Sequence, residues 1–167
     1  MNDKTEKLLI RFIMENKENV YRLAFSYVKN AENALDIVQD SIHKALSSLG
    51  TLKSEGSMKS WFYRIVVNTS LDFLRKQKKI QLMDDKTLEL HSPIIEDAYH
   101  DIDLEKALEE LPHTFRTVVI LRYFEDLKIE EIAEVMNENI STVKTRLYQA
   151  LRKLRIKMNN ELLEEVK

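Results

Sequence analysis

The stretch LKIEEIAEVMNENISTVKTRLYQALRKLRIKMNN, residues 127–160, decides how the rest of the chain is read. Ile129 to Met136 has the spacing of a short helix with Ile132 and Ala133 turned inward. The pattern breaks at Asn137-Glu138-Asn139 and restarts as a long basic helix. Asparagine takes the left-handed backbone with less strain than most residues, which suits Asn137 to the turn, and Asn139 suits an N-cap. On the second helix Val143, Leu147, Ala150, Leu151, Leu154 and Met158 share one side, while Ser141, Thr142, Lys144, Thr145, Tyr148, Gln149 and Arg152 share the other. A short helix, a small residue at the crossing (Ala133), a tight turn and a one-sided second helix make a helix-turn-helix. Hydroxyls, amides and cations near the start of such a helix are what base edges and phosphates in a major groove require. The plainer alternative is a helical hairpin with a solvated basic face. Six Lys or Arg and no acid from Ser141 to Lys157 favour DNA.

Outside this unit, the composition points the same way. With only two Gly and two Pro in 167 residues, turn chemistry for a sheet is scarce and long helices are the economical reading. There is no cysteine, so disulfides, thiolate metal sites and thiol nucleophiles are excluded. Arg11 interrupts the first apolar run before a signal peptide could form, and no window reaches the 18 or so apolar residues of a spanning helix, so a cytoplasmic address is expected.

Helical periodicity runs from Lys4 to Val28, from Ala31 to Leu49 and from Ser57 to Lys79, with GTLKSEGS as the loop before the last. IQLMDDKTLELHSPIIEDAYHD loses periodicity, contains Pro93 and collects acid, which reads as a linker. DLEKALEEL is a short amphipathic helix, and Pro112 suits the first turn of the next. The expectation is an all-α chain of two small domains, residues 1–80 and 104–167, joined by an acidic linker, 81–103. The net charge of −2 conceals a basic, acidic, basic order: ten Asp or Glu lie between Ile80 and Leu111 against Lys86 and Lys106.

SWFYRIVVNTSLDFLRKQKK, residues 60–79, gathers Phe62, Tyr63, Ile65, Val66, Thr69 and Phe73 on one side of a helix. Trp61 falls on the other with Arg64, Asn68, Asp72, Arg75 and Lys79. An outward Trp beside a cation and an amide could stack a base and bond its edge; a lone Trp packed against a neighbour is the alternative. ENALDIVQDSIHKALSSL turns Leu35, Val38, Ile42, Ala45, Leu46 and Leu49 inward and leaves Asp36, Gln39, Asp40 and His43 outside. That acidic stripe suits a basic protein partner or is simply solvated. The four histidines include no i, i+4 pair, and no phosphate loop or nucleophile motif occurs, so no catalytic residue, metal, cofactor or small-molecule substrate is expected.

Taken together, these segments resemble the extracytoplasmic-function (group IV) sigma factors of bacterial RNA polymerase, within the sigma-70 family. YRLAFSYVKNAENALDIVQDSIHKAL is similar to regions 2.1 and 2.2, SWFYRIVVNTSLDFLRKQKK to 2.3 and 2.4, and the chain from about residue 104 to region 4; the wording is nearest the sigma-V type of Gram-positive bacteria. The resemblance implies a promoter-specificity subunit that is not itself an enzyme. It implies that Asp36, Gln39 and Asp40 dock on the clamp helices of the polymerase's largest subunit, with the flap of the second-largest subunit as a further contact. It implies that Trp61, Tyr63 and Asn68 melt the minus-ten element and capture a flipped base, with Arg64, Arg75 and Lys76 holding nearby backbone. Lys144, Thr145, Tyr148 and Gln149 match readers of the minus-thirty-five element, and Arg122, Thr142 and Arg146 match phosphate contacts. A membrane-anchored anti-sigma factor is implied as a partner.

The chain departs from many relatives at Asn137, where glycine is common, at Ser141-Thr142-Val143, where Gly-Thr-Val is common, and at Glu138, which replaces an apolar or small residue. Gln149 stands where some members have a cation. The linker acids Asp84, Asp85, Glu96, Asp97 and Asp101 could compete with phosphate for the basic faces of the free protein, or merely keep the linker extended. The alternative reading of the whole is a free-standing helix-turn-helix transcription regulator.

Overall fold

The computed structural model describes residues 3–83 and 102–166, with the side chains of 102, 103, 105 and 157–166 outside that description. The elements are α1 (Asp3–Val28), α2 (Ala31–Ser47), α3 (Met58–Met83), α4 (Ile102–Glu110), α5 (His113–Val119), α6 (Ile129–Met136) and α7 (Ile140–Val166). Among the described residues there is no strand, in keeping with the scarcity of Gly and Pro. The linker acids lie outside the described residues, apart from the flanking helix ends.

Asparagines set the helix boundaries. The Asn30 side chain accepts the Asn33 N–H at 2.9 Å and starts α2. Asn137 closes α6 in the left-handed conformation, φ 54°, and the Glu138 N–H reaches back to the Ala133 carbonyl at 3.0 Å. Asn139 accepts the Thr142 N–H at 2.8 Å and opens α7. The expected turn therefore forms without glycine. Pro112 lies one position outside the expected place: it precedes α5 with an extended backbone, ψ 147°, and His113 begins the helix.

The buried stripe of α2 is rotated from the expected one. Ala34, Ile37, Ser41 and Ala45 are fully buried, whereas Leu35 is 53% exposed. The cause is that α2 packs against both α1 and α3, so its inward arc follows the groove between them and leaves Leu35 beside Asp36, Gln39 and Asp40.

α1 to α3 form one helical group and α4 to α7 another, but the apolar core is continuous between them. It runs from Leu9, Leu23 and Phe62 through Tyr63 and Val67 to Val118, Leu121, Leu127, Ile132 and Val143. α3 packs on α6 and α1 on α5. A smaller cluster of Ala107, Leu108, Leu111, Val119, Ala150 and Leu154 ties α4, α5 and α7 together.

Candidate nucleic-acid interface

α3 presents its polar residues where the pattern places them. Arg64 and Asn68 are exposed and Trp61 is half-buried. The Trp61 indole N–H donates to Thr51 Oγ1 at 3.0 Å, which fixes the ring under the loop before α3. Trp61, Arg64 and Asn68 line a recess of about 580 Å³, closed on the other side by Ser48, Thr51, Lys53, Ser54 and Ser57. A flat aromatic wall, a guanidinium, an amide and several hydroxyls can stack one base and bond its edge. The pattern missed the loop residues, which carry no periodicity. It also missed Glu134 of α6, whose carboxylate lies on the recess wall and accepts from Ser60 Oγ at 3.3 Å.

Tyr63 departs from the role that the resemblance implied. It is fully buried, its ring edge-on to Phe12 with centroids 6.4 Å apart, and its hydroxyl donates to Glu125 Oε2 at 2.7 Å. The helical period had placed it inward, and packing against Phe12 of α1 and the bond to Glu125, beyond α5, keep it there. Burial, and then the neighbouring Glu125 carboxylate, raise the Tyr63 phenol well above its ordinary pKa. Further along α3, Arg75 is held by Asp72 at 2.9 Å and Lys76 is exposed.

The second face lies on α7. Lys144, Thr145, Tyr148 and Gln149 are exposed, Tyr148 by 69%. Thr142, Thr145, Arg146 and Gln149 surround a shallow recess of about 370 Å³ with Ser141 and Phe115, an α5 residue that the pattern had not singled out. Glu138, one of the departures in the turn, pairs with Arg146 at 3.1 Å. Arg122 stands apart from this recess, over the Tyr123 ring and 3.9 Å from Asp126.

On α2, Asp36, Gln39 and Asp40 are exposed in one line, and Asp40 pairs with Lys44 at 3.4 Å. Among the described residues, no cluster of His, Asp or Glu could hold a metal, and no helix is long and apolar enough to cross a membrane.

Comparison with known proteins adds two family matches: residues 12–80 match the model of sigma-70 region 2 and residues 101–154 that of sigma-70 region 4. The chain is 58% identical over 157 residues to the RNA polymerase sigma factor SigV of Bacillus subtilis, covering 94% of this chain and 95% of that one. It is 29% identical over 154 residues to the ECF RNA polymerase sigma factor SigW of the same organism, covering 83% and 82%. Among solved structures, the sigma factor RpoE from Bartonella quintana, in complex with the anti-sigma factor NepR, has the same fold. Its TM-score is 0.75 at 24% identity, over 89% of this chain and 97% of that one.

Proposed function

The chain belongs to the sigma-70 family, in its extracytoplasmic-function branch, and is a promoter-specificity subunit for transcription initiation by bacterial RNA polymerase; we propose the following division of labour among its surfaces. The Trp61 recess takes a base flipped from the opened minus-ten element, with Arg64 and Asn68 at its edge and Arg75 and Lys76 along the strand. Lys144, Thr145, Tyr148 and Gln149 read the minus-thirty-five element in the major groove, while Arg122, Thr142 and Arg146 contact phosphate. Asp36, Gln39 and Asp40, with exposed Leu35 beside them, dock on the clamp helices of the largest polymerase subunit, and the flap of the second-largest subunit meets the second helical group. Tyr63 can join the minus-ten surface only after the two helical groups part.

The protein works in the cytoplasm at stress-response promoters, performs no chemistry itself, and is restrained by a membrane-anchored anti-sigma factor. The observation that supports this reading is the pairing, in one chain, of a recess walled by Trp61, Arg64 and Asn68 in the matched region 2 with an exposed cationic helix, α7, in the matched region 4. Run-off transcription with purified core polymerase and genomic promoters tests it. Promoter-specific transcripts that require the chain are expected; duplex binding with no dependence on core would instead identify a free-standing regulator.

Two variants test the surfaces separately. Asp40→Arg should weaken core binding about tenfold, since a like charge set against a basic partner costs on the order of 1–2 kcal/mol. Unchanged co-elution with core would remove the docking assignment. Glu138→Ala should free Arg146 for phosphate, raising duplex affinity severalfold at low salt and steepening the log–log salt dependence by about one. An unaltered salt slope would leave Arg146 without a phosphate partner.

A further inference from the structure

The group that fixes the Trp61 ring lies in the loop before α3 and not on α3 itself. The indole N–H donates to Thr51 Oγ1 at 3.0 Å, and the Thr51 hydroxyl gives its own proton to the Ser48 carbonyl at 2.7 Å. Ser48 closes α2: its hydroxyl donates to the Lys44 carbonyl at 2.7 Å and its backbone N–H to the same oxygen at 2.9 Å. Chemistry sets the direction of each link, because an indole N–H can only donate, a carbonyl can only accept, and a hydroxyl between them does one of each. A continuous run of bonds therefore joins the ring to the last turn of α2, the helix that carries Asp36, Gln39 and Asp40.

The turn that presents Thr51 is itself anchored. Leu49 is buried, Leu52 packs against the same core, and the backbone closes through Thr51 N–H to the Ser48 carbonyl at 2.9 Å and Leu52 N–H to the Leu49 carbonyl at 3.1 Å. Neither glycine of the loop takes a positive φ, so these bonds and the two leucines set its path. Elsewhere on the loop wall, Ser57 Oγ donates to the Ser54 carbonyl at 2.9 Å and accepts from Ser54 Oγ at 3.2 Å. The loop hydroxyls are thus engaged with their own backbone. Arg64 and Asn68, on the α3 side of the recess, are exposed and have no side-chain hydrogen bond among the described residues.

We infer that Thr51 is a positioning residue for base capture: its hydroxyl locks the indole as a stacking wall and occupies the ring's one donor, which leaves the identity of the base to Arg64 and Asn68. This role rests on the assignment of the recess to a base flipped from the minus-ten element. A ring already held in place keeps the full benefit of stacking, because a ring that must be ordered as the base arrives loses part of it to side-chain entropy. With its N–H engaged, the ring offers a base only its face, and stacking on a face is tolerant of sequence. Selectivity then falls to the two side chains whose donors and acceptors are open.

The test compares Thr51→Val, which keeps the shape of the side chain and removes the acceptor, with Thr51→Ser, which keeps the hydroxyl. The chain has one tryptophan, so fluorescence reads this ring directly. In the free protein Thr51→Val should raise acrylamide quenching of Trp61 and lower its anisotropy, while Thr51→Ser should match the parent. In the holoenzyme, permanganate reactivity of the minus-ten element should fall about two- to tenfold for Thr51→Val, the net weight of one hydrogen bond, with closed-complex affinity unchanged and Thr51→Ser restoring the signal. A double-mutant cycle isolates the pair: in the Trp61→Phe background, where the ring has no N–H, Thr51→Val should leave opening unaltered. Quenching equal to the parent's in Thr51→Val, or a loss of opening that persists in the Trp61→Phe background, would overturn the positioning role. Normal opening by Thr51→Val beside impaired opening by Trp61→Ala would overturn that role alone; normal opening by both would overturn the base-capture assignment beneath it.

Discussion

Phe62→Ala is expected to destabilise the protein by about 3–5 kcal/mol, the usual cost of removing a buried phenyl ring and leaving a cavity. Phe62 has no exposed surface and meets Phe12 edge-on, with ring centroids 5.8 Å apart, in the cluster that reaches from α1 to α7. Set against a total stability of about 5–15 kcal/mol, that loss leaves a large unfolded fraction at physiological temperature. Urea unfolding should show a lower midpoint with little change in slope. Because the core is continuous, Trp61 fluorescence, which reports on the first helical group, should move together with far-ultraviolet circular dichroism, which reports on both. A loss below 1 kcal/mol, or two separate transitions, would contradict the shared core.

Trp61→Ala, one residue away, should behave in the opposite manner. The ring is half-buried and fixed by the bond to Thr51, so its removal should alter the unfolding midpoint far less than Phe62→Ala does. Its expected effect is on DNA opening. Stacking of one base on an aromatic ring is worth about 1–3 kcal/mol, so open complexes, measured by permanganate reactivity in the minus-ten element, should fall roughly 5- to 150-fold at saturating protein. Trp61→Phe should recover part of that loss because a stacking face remains, while closed-complex affinity stays near that of the parent. If instead the midpoint falls sharply and opening is normal once the variant is folded, Trp61 is a packing residue and the base-capture assignment is wrong.

The contrast between these neighbours also marks how much was legible in the sequence. Helical period alone separated Phe62 and Tyr63, both fully buried, from Arg64 and Asn68, both exposed. It also located the turn at Asn137 and the cap at Asn139, because caps and turns are settled by groups within three or four residues of one another. The cationic face of α7 was legible for the same reason. The membership of the chain in its family was carried by residues spread over both helical groups, all of them visible in the linear sequence.

Other features needed partners distant in sequence. Tyr63 finds Glu125 and Tyr27 finds Thr117 across 62 and 90 residues, and Glu134 enters the Trp61 recess from 74 residues beyond Ser60. Periodicity could say that Tyr63 faces inward but not what it would meet. Leu35 illustrates the same limit: an apolar side chain near the inward arc of α2 is left exposed because the groove between α1 and α3 is filled by Ala34, Ile37, Ser41 and Ala45. The sequence by itself determined the helices, their caps, their polar and apolar faces and the family. Only the tertiary structure decided that the two helical groups share one core and that Glu134 of α6 lines the Trp61 recess. Helix formation and amphipathicity are properties of residues a turn or two apart, whereas the covering of a face is set by whichever surface packs upon it.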